Sequence, residues 1–265
     1  MRAFLRSRLT WLLLIALLVP TLVRMAQRAL MQDRRFLAMP VELNLTPMDA
    51  VEGRIVGRLV ARLKVLGPVH LCDPELDHKV AGALLADPVV YDVLNVGRRW
   101  PRGYTADVLL RRPYATVRVG EHFVPVCLDG MVLPPEPYRE RMATLFAIEG
   151  VRSQPPLPGE YWDDVRLDAG LLTLFQLAPH LAELNGLGLR GLDVSGAEEA
   201  RKGVVLRGAR DVSVLWGRPG ATVAENSVER KVRYLRAFAR YADLLAGQVL
   251  DVRLGEPYLR QSGAS

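Results

Sequence analysis

The sequence predicts an α+β protein with an N-terminal transmembrane anchor, a small α+β domain and a second, β-rich domain with packed helices. Three observations carry this prediction. An uncharged apolar run lies near the start of the chain, helix-like and strand-like patterns follow it, and a proline-rich stretch divides the remainder. With 265 residues, the chain is long enough for two modest domains.

Composition argues against nucleic-acid binding and against a zinc site. The net charge is only +6, and acidic residues interrupt every basic run, whereas a nucleic-acid binder gathers its basic residues on one face or tail. Cys72 and Cys127 are the two cysteines, and neither belongs to a CxxC or Cys/His pair at metal-binding spacing. They either form one disulfide or stay as two small buried thiols, and the sequence leaves both possibilities open.

The apolar run near the N-terminus predicts the anchor. Leu9–Val23 is uncharged and lies between Arg8 and Arg24. Because no small-x-small cleavage motif follows, the pattern favours an uncleaved signal anchor over residues 9–29, after a cytoplasmic tail of residues 1–8. A long C-terminal body is translocated largely regardless of charge, so we expect a single-pass protein with its body outside the cytoplasm.

The first domain is predicted over residues 36–134. A strand over residues 36–45 leads to a helix whose start is marked by Thr46 and Pro47. The apolar stripe of this helix consists of Ile55, Leu59 and Leu63. A second helix and a series of alternating strands follow, with a Trp-Pro turn at Trp100 inside a predicted hairpin over 90–119.

The second domain is predicted over residues 135–260, with a tail of residues 261–265. Six prolines within residues 134–160 mark the boundary. The predicted elements are a helix over 163–184, strands over 189–194, 203–206 and 212–216, a helix over 226–247 and a last strand, Gln248–Leu254. The second helix carries a capping-box pattern at Asn226 and Glu229.

The tests for catalytic and cofactor motifs give little support to an enzyme. The string GLGLRG at 186–191 matches a dinucleotide fingerprint only literally, because a helix precedes it and a strand follows, the reverse of the required order. The four histidines are isolated along the chain, and neither G-x-S-x-G nor S-x-x-K occurs. We therefore predict a non-enzymatic protein without cofactor, metal or small-molecule substrate.

Two stretches of the chain resemble the FtsQ/DivIB family of bacterial cell-division proteins. The first is DPVVYDVLNVGRRWPRGYTADVLLRRPYATV, which is similar to the family's strand, Trp-Pro turn, strand and Arg-Pro-x-Ala run. The matching positions there are Trp100, Pro101, Arg112, Pro113 and Ala115. The second comprises VVLRGARDVSVLWGRPG, a lysine-and-leucine helix and the ending VLDVRL. The matching positions there are Lys231, Leu235, Asp251 and Arg253.

The resemblance implies a fold and a function. It implies a POTRA-like first domain, a C-terminal β domain and a bitopic membrane scaffold of the divisome in the cell inner (plasma) membrane at the septum. The implied partners are FtsB- and FtsL-like division proteins and, through them, the septal peptidoglycan synthase. Two alternatives remain: a POTRA-containing adaptor of another envelope or secretion complex, and a secreted hydrolase whose catalytic triad forms only in the folded chain.

The last strand is the predicted contact with a partner. A terminal strand commonly lies at a sheet edge, where it can accept a partner strand by β-augmentation. We expect the contact near Asp251, Val252, Arg253 and Leu254. The apolar Leu250, Val252 and Leu254 are expected to face the core, with Asp251 and Arg253 on the other side. The alternative is an ordinary covered edge.

Four residues are predicted to be structural. They are Trp100, Pro101, Arg112 and Pro113. Trp100 is expected to pack at the corner of the hairpin, whose arginines face solvent, anionic headgroups or a partner.

Overall fold

A computed structural model describes most of the chain in two compact units, Met1–Leu110 and Arg111–Ser265. The described residues are 2–46, 52–67, 69–199, 202–219, 225–241 and 246–261. Each unit contains one mixed sheet with helices, which confirms the α+β class. The predicted helix start at Pro47 and residues 262–265 of the predicted C-terminal tail lie outside the described residues.

The first unit has a four-stranded sheet in the order β2-β1-β4-β3, with β1 and β4 parallel. Its helices are α1 (Arg2–Gln32), α2 (Glu52–Leu66) and α3 (Leu76–Leu85). Its strands are β1 (Leu37–Thr46), β2 (Val69–His70), β3 (Val90–Arg99) and β4 (Gly103–Leu110).

Helices α2 and α3 cover one face of this sheet, since α2 contacts β1 and α3 contacts β3. The predicted stripe of α2 is confirmed, because Ile55, Leu59 and Leu63 are all buried. Along β4 every second residue from Tyr104 to Leu110 is buried, whereas the residues between them are half-buried. This alternation is typical of a sheet packed on one side only.

A buried carboxylate connects α2 to the start of β3. Asp87 is fully buried and accepts hydrogen bonds from the Arg58 Nε, at 2.7 Å, and from the backbone N–H of Val89, at 3.1 Å. The Arg62 Nε lies 3.6 Å away. A buried charge is tolerated only with such partners, so Asp87 fixes the turn between α3 and β3 to the neighbouring helix.

Trp100 lies at the corner of the β3–β4 hairpin and is mostly exposed. Its side chain is 63% exposed, and it contacts the ring of Phe36 edge-to-face with centroids 5.2 Å apart. Trp100 and Pro101, joined by a cis peptide bond, form the turn between β3 and β4. Trp100 therefore packs on an aromatic ring and not within the core.

The predicted transmembrane anchor is corrected. Residues 9–29 lie within the single helix α1, which also includes most of the predicted tail, but no helix among the described residues is sufficiently long and apolar to cross a membrane. The physical reason is length: the uncharged run Leu9–Val23 covers about 22 Å, against ~30 Å of hydrocarbon. The predicted single-pass plasma-membrane location depended on this anchor and is overturned by the same finding.

The second unit has an eight-stranded sheet in the order β12-β11-β10-β9-β8-β7-β5-β6. Its strands are β5 (Ala115–Val119), β6 (His122–Val126), β7 (Phe146–Glu149), β8 (Gly191–Gly196), β9 (Gly203–Arg207), β10 (Ser213–Gly217), β11 (Gln248–Asp251) and β12 (Tyr258–Gln261). Its helices are α4 (Arg139–Met142), α5 (Val165–Leu177) and α6 (Val228–Ala239).

The boundary between the units comes earlier than the predicted boundary at 134/135. Strand β5 pairs with β7 in parallel and with β6 in antiparallel fashion, and Ala115 and Val117 are buried in the core of the second unit. The predicted hairpin over 90–119 is therefore divided, with β3 and β4 in the first sheet and β5 in the second. Arg112 and Pro113 lie in the connection between them, Arg112 exposed and Pro113 buried.

Glycines in the GLGLRG string serve close packing. The string leads into β8, and Gly188 has a φ of +57°, which is the left-handed region that favours glycine. A Cβ atom on Gly188 would lie 2.7 Å from the Cβ of Ala209. Packing and backbone conformation therefore explain the glycines at this position.

A side-chain cap marks the start of α5, and the two cysteines do not form a disulfide. Asp164 caps α5 by accepting from the backbone N–H groups of Arg166 and Leu167. Cys72 and Cys127 are free thiols, Cys72 half-buried and Cys127 buried. Burial raises the pKa of Cys127 to about 12.

Stability measurements on the full chain test the ranking of Asp87 and Trp100. Asp87→Asn should lower the free energy of unfolding by about 2 kcal/mol or more, because it removes a buried charge on which Arg58 depends. Trp100→Ala should cost about 1 kcal/mol, because the ring is mostly exposed. The matched control is Asp77→Asn, since Asp77 is exposed and lies 3.6 Å from Arg98, and it should cost less than about 0.5 kcal/mol. A Trp100→Ala cost equal to that of Asp87→Asn would contradict this ranking.

Candidate protein-partner interface

The C-terminal strands form one end of the second sheet, and the edge is not the predicted one. Strand β11 pairs in parallel with β10 on one side and in antiparallel fashion with β12 on the other. The prediction that Gln248–Leu254 is an edge strand is therefore corrected. Among the described strands, β12 occupies this edge, so its outer N–H and C=O groups lack a strand partner.

The predicted contact residues differ in burial because β11 is short and ends at Asp251. Leu250 and Val252 are buried in the core, as predicted. Leu254, however, is 53% exposed, because the strand ends at Asp251 and the alternation does not continue to residue 254. Asp251 points away from Leu250, as predicted, but it is only 2% exposed because neighbouring side chains cover it.

Asp251 is the centre of a charged cluster that joins β11 to β12. Its carboxylate accepts from the Arg253 Nε at 2.9 Å and from the Arg253 Nη2 at 2.6 Å. It also accepts from the Tyr258 hydroxyl, at 2.9 Å, and from the Arg260 Nη2, at 3.4 Å. One buried carboxylate thus fixes the turn after β11 and two side chains of the edge strand.

The same contacts determine the acidity of Asp251. Burial of the carboxyl group disfavours its charged form, but hydrogen bonds from Arg253 and Tyr258 outweigh burial and hold the pKa of Asp251 below its usual range. The negative charge is therefore part of the folded structure and is neutralised within it.

A buried lysine anchors α6 beneath the adjacent strands. The Lys231 side chain is 3% exposed, and its ammonium donates to the backbone carbonyl of Trp216 at 2.7 Å and to the Glu225 carboxylate at 2.8 Å. The ammonium also lies 5.3 Å from the centre of the Trp216 ring, within cation–π distance. Two hydrogen bonds and an aromatic face together replace the water that Lys231 loses.

Asn226 connects this anchor to the turn before β12. Its side-chain amide donates to the carbonyls of Val252 and Gly255, each at 2.9 Å, and its backbone N–H donates to the carbonyl of Arg253 at 2.7 Å. Because the Asn226 side chain is used in this way, the cap of α6 is Ser227, one residue later than predicted. The predicted helix over 226–247 ends at Ala239, and residues 242–245 lie outside the described part.

The edge strand presents both apolar and cationic side chains. All four residues of β12 are exposed, with Tyr258 at 50% and Leu259 at 43%. The Arg260 guanidinium lies 5.6 Å from the centre of the Tyr258 ring. A free backbone edge with these side chains is equipped to pair with an extended segment of another chain.

The structure brings together only some of the predicted residues. Asp251, Val252 and Arg253 lie beside the β12 edge, whereas Trp100 and Pro101 belong to the first unit. Sequence reasoning missed Tyr258 and Arg260. The signal that could have found them is the turn composition Gly255-Glu256-Pro257 before the string YLRQ.

Neither a metal site nor a relative identifies the function. Among the described residues, no group of three or more His, Cys, Asp and Glu side chains could hold a metal ion. No protein-family model matches the chain, and no curated protein matches it in sequence.

A double-mutant cycle tests the lysine anchor. Lys231→Met should lower the free energy of unfolding by about 3–5 kcal/mol, because it leaves the Glu225 carboxylate buried without its cation. The double variant Lys231→Met/Glu225→Gln should recover part of this loss. A double-variant cost equal to the sum of the costs of Lys231→Met and Glu225→Gln, all measured by denaturant unfolding, would show that the pair is not coupled.

The pH dependence of stability tests the Asp251 cluster. Because the folded-state pKa of Asp251 is lowered, its contribution is present above the unfolded pKa, ~3.9, and is lost as the pH falls through the folded value. The free energy of unfolding should therefore decrease less steeply below about pH 4 in Asp251→Asn than in the wild type. The exposed position Glu121→Gln serves as the control and should give a slope close to that of the wild type. Parallel curves for wild type and Asp251→Asn would contradict the assignment.

Proposed function

We propose that the chain is a non-enzymatic scaffold that recruits a protein partner through the edge of strand β12. The observation that carries the proposal is an exposed edge strand whose inner side is fixed by buried charges. Tyr258 and Arg260 hydrogen-bond to the buried Asp251, while the outer side of β12 pairs with no described strand.

The proposed binding mode is β-augmentation. An extended partner segment adds a strand beside β12, its backbone bonds supply affinity, and side chains of alternating residues supply selectivity. On this edge, Leu259 offers an apolar contact, and Arg260, which is 42% exposed, offers a cation. The preferred partner segment therefore combines an apolar residue with a carboxylate.

Preorganisation supports this use of the edge. The turn before β12 is held by Asn226 at Gly255, and the Tyr234 hydroxyl donates to the same carbonyl at 3.1 Å. A strand that is already ordered does not lose its conformational entropy on binding, which improves affinity for a given contact area.

The resemblance to the FtsQ/DivIB family supplies the proposed biology. In that family the C-terminal strands carry partner binding, so we propose FtsB- and FtsL-like division proteins as partners, for septal cell-wall synthesis. Asp251 and Arg253 then act as positioning residues for the edge, and the exposed Leu254 lies close enough in sequence to contribute an apolar contact.

In-cell crosslinking tests the proposed partners. A photo-crosslinking residue at Leu259 should capture an FtsB- or FtsL-like protein, and depletion of the chain should cause filamentation. The matched control is the same crosslinker at Phe175, an exposed apolar position on α5. Capture of the same proteins from both positions, or of neither protein from Leu259, would argue against the proposal.

Proline substitution separates the two sides of β12. Backbone N–H groups of successive strand residues point to opposite sides, and proline removes the N–H. Of Leu259→Pro and Arg260→Pro, one should weaken partner capture by about tenfold or more in a folded protein, and the other should mainly destabilise the pairing with β11. Unchanged capture in both folded variants would exclude edge pairing.

A further inference from the structure

A second concave surface lies on the second unit, at the other end of the sheet from β12. It is a groove of about 420 Å³ between α4 and the strands β5 to β8, which we call the Arg139–Arg190 groove. Its lining includes Thr116, Phe123, Arg139, Met142, Leu145 and Arg190.

The sheet builds the floor of the groove and a short helix builds its wall. Thr116 on β5 is buried, and its hydroxyl donates to the carbonyl of Phe146 on β7 at 3.3 Å, so this polar group is already satisfied. Phe123 on the edge strand β6 remains 44% exposed beside it. Met142 at the end of α4 and Leu145 in the following turn complete an apolar surface that is open to solvent.

Two cations line the groove, and none of its lining residues carries a carboxylate. Among the described residues, the side chains of Arg139 and Arg190 have no hydrogen-bonded or ion-paired partner. Glu149, on the same strand as the lining residue Ala147, is paired with Arg118 at 3.0 Å. An arginine that faces an apolar groove without an anion can form a strong, bidentate hydrogen-bonded pair with a carboxylate from outside.

We infer that the Arg139–Arg190 groove binds an acidic, apolar peptide segment of a protein partner. The two guanidinium groups bind one or two carboxylates, and an adjacent apolar side chain packs between Phe123 and Met142. Because Phe123, Arg139 and Arg190 are all exposed, the groove is too open to enclose a small molecule, whereas a macromolecular partner can cover it from above.

This site is separate from the proposed β12 interface. In the sheet order, β5 lies six strands away from β12, or about 29 Å at ~4.8 Å per strand spacing. The two surfaces can therefore hold two different segments at once. The inference goes beyond the proposed recruitment edge, and variants in the groove leave that edge unchanged.

Peptide binding to the full chain tests the inference. The probe is a fluorescein-labelled eight-residue peptide in which two glutamates flank a leucine and a phenylalanine, and the control peptide has glutamines in their place. The acidic probe should bind saturably, and methyl NMR signals of Met142, Ala143 and Ala147 should shift. The double variant Arg139→Gln/Arg190→Gln should weaken binding by about tenfold or more.

Two further variants keep the test decisive. Ala143→Trp fills the groove from an exposed position and should also abolish binding. Arg233→Gln/Arg240→Gln removes the same charge from two exposed positions, one on α6 and one at its C-terminal cap, and should leave binding unchanged. An equal loss of peptide binding in this control pair, or the absence of saturable peptide binding to the wild type, would overturn the inference. A small apolar carboxylate, laurate, is the second probe, and binding of laurate but not of the peptide would overturn it as well.

Discussion

The arrangement of the last strands depends on one buried ammonium group, that of Lys231. It lies where α6 passes beneath β10, and it satisfies both the Trp216 carbonyl and the Glu225 carboxylate. Transfer of both charges from water costs several kcal/mol, which only short contacts of this kind offset. A neutral side chain at 231 would leave the buried Glu225 carboxylate without its cation. The contacts of Lys231 therefore hold α6, β10 and the segment at Glu225 in one arrangement.

From this anchor, the constraint passes along the chain to the sheet edge. Asn226 follows Glu225 directly, and its amide binds the carbonyls of Val252 and Gly255 on either side of the Arg253 turn. This turn places the Arg253 guanidinium against the Asp251 carboxylate. Asp251 also accepts a hydrogen bond from the hydroxyl of Tyr258 on the edge strand. Each step is a polar contact with little exposure to water, which makes the position of β12 a consequence of packing that begins at α6.

The elements that sequence reasoning could predict are those determined by local periodicity. The stripe of Ile55, Leu59 and Leu63 and the strands β8 to β10 depend on neighbouring residues, and all of them appear in the fold. The unit boundary could not be predicted, because β5 continues the alternation of β4 but pairs with β7, about 30 residues later. Likewise, β12 has only four residues, and it is a strand because β11 and the Asp251 carboxylate lie beside it.

The arginines at the two ends of the second sheet differ in whether a carboxylate of the protein pairs with them. This difference distinguishes arginines that position a strand from arginines that are available to a partner. Near β12, Arg253 and Arg260 share the single buried carboxylate of Asp251, which positions both side chains and leaves one positive charge in excess beside the partly exposed Arg260. In the groove at the other end, Arg139 and Arg190 face apolar side chains, and no carboxylate lines that surface. A charge that the fold neutralises contributes to the position of its own strand, whereas a charge left beside an apolar surface is available to an external anion. We therefore propose two modes of partner recognition: one mainly through an ordered backbone edge, with Arg260 adding a cation, and the other through the charge of Arg139 and Arg190.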